Sequence, residues 1–464
     1  MDRPLRRLYL FFALLFVAVL VQLTYVQVFA APKLQTDPSN TRAIEAEMKV
    51  DRGAIFSMDG EELAVNRQDG QYYLRSYPQG DLTSPWLGYN SLRYGRAGIE
   101  RVYNQELSGQ SGLLGIWTYW DDLMGKTHVG ADLVLTIDMA VQRAAAEALG
   151  DQKGAVVALN PRTGAILAMV SSPRYDPNQL ESVWKDLNSD PDTPLLNRVT
   201  QGRYPPGSVF KMVVAAAALE EGIVTTGTRF TDTGSVKAGG FVINNYGDEV
   251  YGEHDFAKAF AGSVNTTFAK VGVSLGAEEV ERYAAAFGFN ASLPWLLGGA
   301  SSFFPKAGDM DKAHLAQVSY GQGRVLATPL SMALAASAIA NDGQMMKPYL
   351  VSQVVERSGR VLQQAKPDAW MRAVSAGTAA TVRDLMVQAV KSGTGTRAAI
   401  TGVQVAGKTG TAEVDDAGPH AWFAGFAPAD DPRVVVAVLV ENAGTGGSVA
   451  APIARRVIAA ALGL

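Results

Sequence analysis

Tyr204-Pro205-Pro206-Gly207-Ser208-Val209-Phe210-Lys211, running on into Met212-Val213-Val214-Ala215-Ala216-Ala217-Ala218, decides how the rest of the chain is read. Two prolines and a glycine stop whatever precedes them, and an alanine-rich run that favours helix follows. Ser208 is thereby expected in the first turn of a helix over Lys211 to Glu221. There it lies beside unpaired backbone N–H groups and the positive end of the helix dipole. Lys211, three positions on, shares its face. A serine hydroxyl is a weak nucleophile at its free pKa and needs a base beside it. A lysine can be that base only where desolvation or a second cation makes its neutral amine accessible. The stretch predicts serine acyl transfer, with Ser208 as nucleophile and Lys211 as base.

Two more short patterns follow in order, Ser263-Val264-Asn265 and Lys408-Thr409-Gly410-Thr411. Lys408, on an expected strand, is a candidate second cation, and Ser263 can carry a proton between Lys211 and a departing group. Asn265 offers an amide able to bond both the lysine and a substrate carbonyl. The Thr409 and Thr411 hydroxyls can hold a terminal carboxylate, and Gly410 lets a substrate backbone come close to the strand. The N–H groups of Ser208 and Thr411 make a candidate oxyanion hole. The expected site is therefore Ser208, Lys211, Ser263, Asn265 and Lys408 for catalysis, with Thr409, Gly410 and Thr411 binding substrate.

Two decoys compete. Ser182-Val183-Trp184-Lys185 repeats the serine–lysine spacing, but lies in a polar stretch with no sustained apolar helix behind it. Lys391-Ser392-Gly393-Thr394 resembles the third pattern. It ends a helical run over Thr381 to Val390, where a lysine and then a glycine are ordinary capping chemistry.

At 464 residues, two or three domains are expected. The composition, 47% hydrophobic and 19% charged, is that of a folded protein, and a net charge of −4 argues against a nucleic-acid partner. The absence of cysteine removes disulfide scaffolds and thiolate sites and suits life outside the cytoplasm. The four histidines, His128, His254, His314 and His420, lack metal-ligand spacing, and neither a metal nor a cofactor is expected.

Leu8 to Ala31 carries no charged side chain, and at about 1.5 Å per residue it can cross a bilayer of about 30 Å. Arg3, Arg6 and Arg7 precede it, which places the short tail inside the cell and the rest of the chain outside. Val28-Phe29-Ala30 could serve as a cleavage site. The apolar run nevertheless exceeds the roughly 7–15 residues of a signal peptide, and a retained single-pass anchor is expected. Thr24 and Gln27 share a face near its outer end, where a neighbouring membrane protein or interfacial water could satisfy them.

Residues 1–31 are thus read as tail and anchor, 32–130 as a small β-rich module without a convincing helix, and 131–464 as the catalytic domain. In the last, Leu133 to Ile137 reads as a strand and Asp138 caps a helix through Ala148. Strands follow at Gly154 to Leu159 and Ala165 to Val170. Helices are expected over Val264 to Leu275, Glu278 to Phe287, Ala313 to Val318 and Leu330 to Asn341. Strands return at Ala421 to Phe426 and Val434 to Val440, before a last helix over Ala451 to Leu462. The expected class is α+β: an antiparallel sheet packed with helices, plus a helical subdomain.

The ordered motifs resemble those of the class B penicillin-binding proteins, the single-pass D,D-transpeptidases of bacterial wall synthesis. The resemblance extends to Leu135-Thr136-Ile137-Asp138 with Gln142, to Gly154 through Pro177, to Asn197-Arg198 and to Tyr320-Gly321-Gln322-Gly323. Arg52-Gly53-Ala54-Ile55 with Asp59-Gly60, and Gly98-Ile99-Glu100 with Leu107-Ser108-Gly109, resemble that family's pedestal domain. Ser57 and Met58 stand where its motif has Asp-Arg, and the compact module is similar to that of short actinobacterial-type members. The resemblance implies the transpeptidase fold and Ser208 as acyl-enzyme nucleophile on the D-Ala-D-Ala end of a peptidoglycan stem peptide. Lys211 would be base, Ser263 proton relay, and Asn265, Lys408, Thr409 and Thr411 binding and activating groups. It also implies acylation by β-lactams and a membrane glycosyltransferase partner of the RodA/FtsW type. A D,D-carboxypeptidase, or a membrane-anchored β-lactam sensor, remains an alternative. A class A β-lactamase is disfavoured, because no Glu-x-x-Leu-Asn follows Asn265.

Overall fold

The structure, a computed structural model, describes residues 3–25, 48–110, 129–294, 297–414 and 417–464. Helix α1 (Arg3–Thr24) is exposed along its length and, beyond the arginines of its first turns, long enough and apolar enough to cross a membrane. The Thr24 hydroxyl donates to Leu20 O one turn back at 2.8 Å, so its hydrogen is satisfied within the helix. Gln27, the other half of the expected polar face, lies outside the described residues, as does the outer end of the expected span.

Strands β1 (Ile55–Phe56), β2 (Glu62–Asp69) and β3 (Tyr72–Ser76) follow, with a two-residue pair at Asn90–Ser91 and Gly95–Arg96 beyond them. The membrane-proximal part also contains helices of a single turn, at Ser84–Leu87, Gly98–Val102 and Asn104–Leu107, where none was expected. Elements of four or five residues are too short to show a period in sequence. Next come β4 (Asp132–Leu135), α2 (Met139–Leu149), β5 (Gly154–Leu159) and β6 (Ile166–Ser172). Asp138 caps α2, accepting from the N–H groups of Ala140 and Val141. Then follow α3 (Lys211–Glu220), the hairpin β7 (Ser235–Ala238) and β8 (Phe241–Asn244), α4 (Phe256–Gly262), α5 (Asn265–Leu275) and α6 (Pro329–Ala340). The chain closes with β9 (Val351–Val355), β10 (Val361–Gln364), α7 (Ala376–Ser392), β11 (Ala406–Val414), β12 (Ala417–Ala427), β13 (Val434–Val440) and α8 (Ala450–Leu462).

The central sheet is fully antiparallel, in the order β11-β12-β13-β5-β6. Its side chains divide with the two-residue period of a strand. Val156, Ala158, Val436 and Val438 pack with α2 and α8, whereas Val157, Leu159, Ala437 and Leu439 face the core that holds α3 and α6. With both faces covered, all seven residues of β13 are buried and its sequence is a continuous apolar run. Every residue of α6 is buried too, as expected of a helix built from Ala, Leu, Met, Ile and Ser with no polar face.

The second sheet runs β10-β9-β4-β1-β2-β3. It joins strands of the membrane-proximal part to β4 and to the distant pair β9–β10. Gln142, on α2, ties the same junction: its amide donates to Leu82 O at 2.9 Å and Met169 O at 2.8 Å and accepts from Met169 N at 2.8 Å. Trp86 donates its indole N–H to Met169 O at 2.8 Å. Glu100 is buried between Arg52 at 2.8 Å and Arg75 at 2.6 Å, which accounts for Arg52 and Glu100 in the signatures that carry them. Burial by itself would raise the Glu100 pKa; the two guanidiniums reverse the direction and hold it down.

Candidate active site

Ser208 does not open the α-helix. Gly207–Phe210 forms a 3-10 turn, and α3 begins at Lys211. At three residues per turn, positions i and i+3 eclipse, so Ser208 and Lys211 project along one line. The lead-in is fixed by close backbone approach. Gly207 has φ +54° and donates its N–H to Gly321 O at 2.9 Å. A Cβ on Gly321, itself at φ +84°, would lie 1.9 Å from Gly207 O, and no side chain fits there. Trp422 holds Pro205, two positions before Gly207, donating its indole N–H to Pro205 O at 2.9 Å.

Lys211 is fully buried. Its Nζ donates to Ser263 O at 2.6 Å, Ser263 Oγ at 3.1 Å and Asn265 Oδ1 at 2.7 Å. Three acceptors match the three donors of an ammonium. Burial, and after it the charge of Lys408, push the other way and set its pKa well below the ordinary lysine value. No carboxylate is among these partners, so the burial wins. On losing its proton the amine can keep two donor bonds and turn its lone pair to a hydroxyl.

Ser263 caps α4 at φ +63° and ψ 38°, a left-handed conformation that a serine rarely adopts. Such strain, of order 1–3 kcal/mol, persists where surrounding structure enforces it. Val264 then caps α5, whose first residue is Asn265, one position later than the pattern predicted. The Asn265 amide spans the site, accepting from Lys211 and donating to Asn244 O of β8 at 3.1 Å. Below it, buried Asp232 accepts from Thr266 Oγ1 at 2.6 Å, Asn245 Nδ2 at 2.8 Å and Tyr251 N at 2.8 Å. Desolvation would raise the Asp232 pKa, but these bonds bring it below the usual carboxylate value.

Lys408 lies on β11, the edge strand of the central sheet. It is fully buried, 5.8 Å from the Phe260 ring centroid, and donates to Thr409 O at 3.1 Å. Burial lowers its pKa to about 7. By alternation Thr409 and Thr411 point to the opposite face from Lys408, and both line a cleft of about 970 Å³ together with Ser208, Ser263 and Asn265. At Gly410 a Cβ would lie 2.9 Å from Pro206 O and 3.1 Å from Val209 Cγ1, so its bare backbone admits the segment that leads into Ser208.

Both decoys fall outside the catalytic centre as serine–lysine and lysine–threonine sites. Ser182 and Lys185 are exposed on the helix Leu180–Ser189, and Ser182 Oγ donates to Gln179 O at 2.8 Å. Lys391 is exposed in the last turn of α7. Its motif nevertheless contributes. Thr394 lines the cleft, with Oγ1 2.5 Å from Thr409 Oγ1, a role that reading the segment as a helix cap concealed. Sequence reasoning also passed over Glu441, just beyond β13. It accepts from Arg198 Nε at 2.8 Å and from Tyr204 Oη at 2.9 Å, steadying the approach to Ser208. The clue was present, since Arg198 and Tyr204 flank the segment, but nothing near them in sequence marked Glu441 as their partner.

Comparison with known proteins agrees in both halves. Residues 154–459 match the family model of the penicillin binding protein transpeptidase domain, and residues 52–133 that of the penicillin binding protein A dimerisation domain. A peptidoglycan D,D-transpeptidase, PbpA of Mycolicibacterium smegmatis, is 40% identical over 495 aligned positions, covering 100% of this chain and 99% of the relative. The ceftriaxone acyl-enzyme of penicillin-binding protein A from M. tuberculosis superposes with a TM-score of 0.85 at 38% identity, covering 90% of this chain and 99% of that one. The D,D-transpeptidase domain of a peptidoglycan glycosyltransferase from Eggerthella lenta superposes with a TM-score of 0.83 at 38% identity, over 89% and 99%.

Proposed function

The chain belongs to the penicillin-binding protein transpeptidase family, and from that premise we propose how its residues carry out the reaction. It is a peptidoglycan D,D-transpeptidase acting through a serine acyl-enzyme. The relatives named above count against a carboxypeptidase or a sensor. Ser208 Oγ attacks the carbonyl of the penultimate D-alanine while the neutral amine of Lys211 takes its proton. The oxyanion is met by the N–H groups of Ser208 and Thr411. Ser263 passes the proton from Lys211 to the departing amine of the terminal D-alanine, leaving an ester on Ser208. An acceptor amine from a second stem peptide then attacks that ester and gives up a proton to Lys211, and Ser208 Oγ is reprotonated as it leaves. A β-lactam follows the same first step, but its ring-opened amine stays tethered. Thr409 and Thr411 hold the terminal carboxylate, Lys408 sets the field around Lys211, and Gly410 lets Pro206 close against the strand.

The observation that carries these assignments is the buried Lys211 bonded to both Ser263 and Asn265, one 3-10 turn from Ser208. Ser208→Ala should abolish labelling by a fluorescent penicillin and Ser182→Ala should leave it intact; labelling of the first variant would sink the assignment.

The apolar α1 anchors the protein to a membrane. We assign 1–31 to tail and anchor, 32–130 to the pedestal and 131–464 to the transpeptidase domain. By Arg3, Arg6 and Arg7 at the N-terminal end of α1, the catalytic domain lies on the extracytoplasmic side of a single span. Cross-linking consumes glycan strands, and the proposed partner is a RodA/FtsW-type polymerase in the same membrane. Recovery of the detergent-solubilised full chain without any polymerase would count against that partnership.

A further inference from the structure

Four large apolar side chains are exposed beside the active-site cleft, of which Val242 and Tyr246 line it. Phe241 and Val242 of β8 are 59% and 55% exposed, and Tyr246 and Val250 just beyond are 57% and 66% exposed. Single exposed apolar residues are ordinary; four within ten positions beside a catalytic cleft are not. The hairpin that presents them is rigidly based. Gly239 and Gly240, both at positive φ, turn β7 into β8, as a two-residue hairpin requires. Ile243 and Ala238 bury its underside against Ala269 of α5 and Ala316. Asn244 O accepts from the Asn265 amide, so the lip is bonded directly to a residue of the catalytic centre.

The lip also carries polar groups. Asp248, at φ +56°, accepts from Asn244 Nδ2 at 3.2 Å, and Glu249 accepts from Tyr251 Oη at 2.6 Å. Aromatic and aliphatic faces edged by carboxylates and amides suit a ligand with apolar C–H faces and a rim of hydroxyls. That is the surface of a pyranose ring. The substrate supplies such rings: each stem peptide hangs from a glycan strand, and a stem of a few residues spans at most about 3.3–3.6 Å per residue. With its carboxyl end at Ser208, its sugar end must emerge close to the cleft's rim.

We propose that the exposed edge of hairpin β7–β8 and the Tyr246–Val250 turn is a glycan subsite, on which Phe241 at the hairpin's tip and Val250 beside its base contact successive sugar rings of the strand bearing the stem peptide. This deepens the transpeptidase reading and rests on it for the identity of the ligand. The subsite makes the enzyme prefer polymeric glycan over free stem peptide without touching the acyl-transfer groups.

The test uses the full-length protein, a Phe241→Ala/Val250→Ala variant and Phe241→Tyr. Binding is measured first, by co-sedimentation with glycan strands stripped of their stems. Wild type and Phe241→Tyr should bind, and the double variant should bind about tenfold more weakly, as expected for loss of an aromatic and an aliphatic contact. Turnover is measured second. The double variant should lose about tenfold in kcat/KM on uncross-linked glycan bearing stems, while matching wild type on a sugar-free pentapeptide and in acylation by penicillin. No binding of stripped strands by wild type, or equal binding by the double variant, overturns the subsite. Equal loss on the polymer and on the free peptide overturns it too, by making these residues part of the peptide cleft or of the fold. A wild-type dimer that the double variant dissociates assigns the patch to a second copy of this chain and overturns it as well. Glycan binding by wild type with turnover of neither the stem-bearing polymer nor the free pentapeptide would instead refute the transpeptidase reading and leave the subsite standing.

Discussion

Glu441→Gln is the most revealing single perturbation of the nucleophile's support. Arg198, only 1% exposed, has Glu441 as its carboxylate partner at 2.8 Å; its remaining bonds go to neutral acceptors, Asp192 O at 2.5 Å, Thr193 O at 3.2 Å and Thr193 Oγ1 at 3.3 Å. Removing one charge of a buried pair typically costs about 3–5 kcal/mol, because the other is left uncompensated. The glutamine oxygen and the three carbonyl and hydroxyl contacts soften that loss, which places this case near 3 kcal/mol. The Tyr204 hydroxyl also loses a charge-assisted bond, about 1.5–3 kcal/mol in isolation but shared with the same carboxylate and so not additive. The expected total is roughly 3–4 kcal/mol, read as a fall in the thermal midpoint of about 5 °C or more. Because Tyr204 leads into Pro205-Pro206-Gly207-Ser208, the second-order rate of penicillin acylation should fall with it. Arg198→Met/Glu441→Leu removes both charges and should recover most of the stability. An unchanged midpoint for Glu441→Gln, or a double variant as unstable as the single one, would refute the reasoning.

Burial of Lys408 gives a pH signature. Its pKa falls from 10.5 to about 7 in the native state, so between those values the unfolded chain binds more protons and stability rises with pH. Lys408→Met should flatten that rise by about 1.4 kcal/mol per pH unit in denaturant titrations. An identical slope would mean that Lys408 is not desolvated. The same residue should matter to acylation where its decoy does not: Lys408→Ala should slow penicillin labelling sharply. Lys391→Ala should leave the rate unchanged and shift stability by at most about 0.5 kcal/mol, measured by stopped flow and melting. Glu100→Gln should destabilise by about 3–5 kcal/mol, since it strands Arg52 and Arg75 in the interior, and a melt within 1–2 °C of wild type would exclude that role.

Much of the chemistry was legible in the chain because it is local. The spacing of Ser208 and Lys211, the proline–glycine stop before them and the apolar run of α1 each act within a few turns. Those turns form much the same way whatever lies around them. The capped start of α2 and the all-apolar β13 are equally local signals, and the structure places both within a residue or so of where they were expected. Tertiary structure decided the remainder. A helical continuation and a 3-10 turn differ by small dihedral changes, and contacts of Gly207 with Gly321 and Thr411 selected the latter. Thr394 reaches Thr409 because α7 packs against α4, Glu441 meets Arg198 across 243 positions, and β9 pairs with β4 more than 200 positions away. Such pairings are set by the summed burial of two covered sheet faces and by the entropy of closing long loops. Neither quantity is carried by any short stretch of sequence.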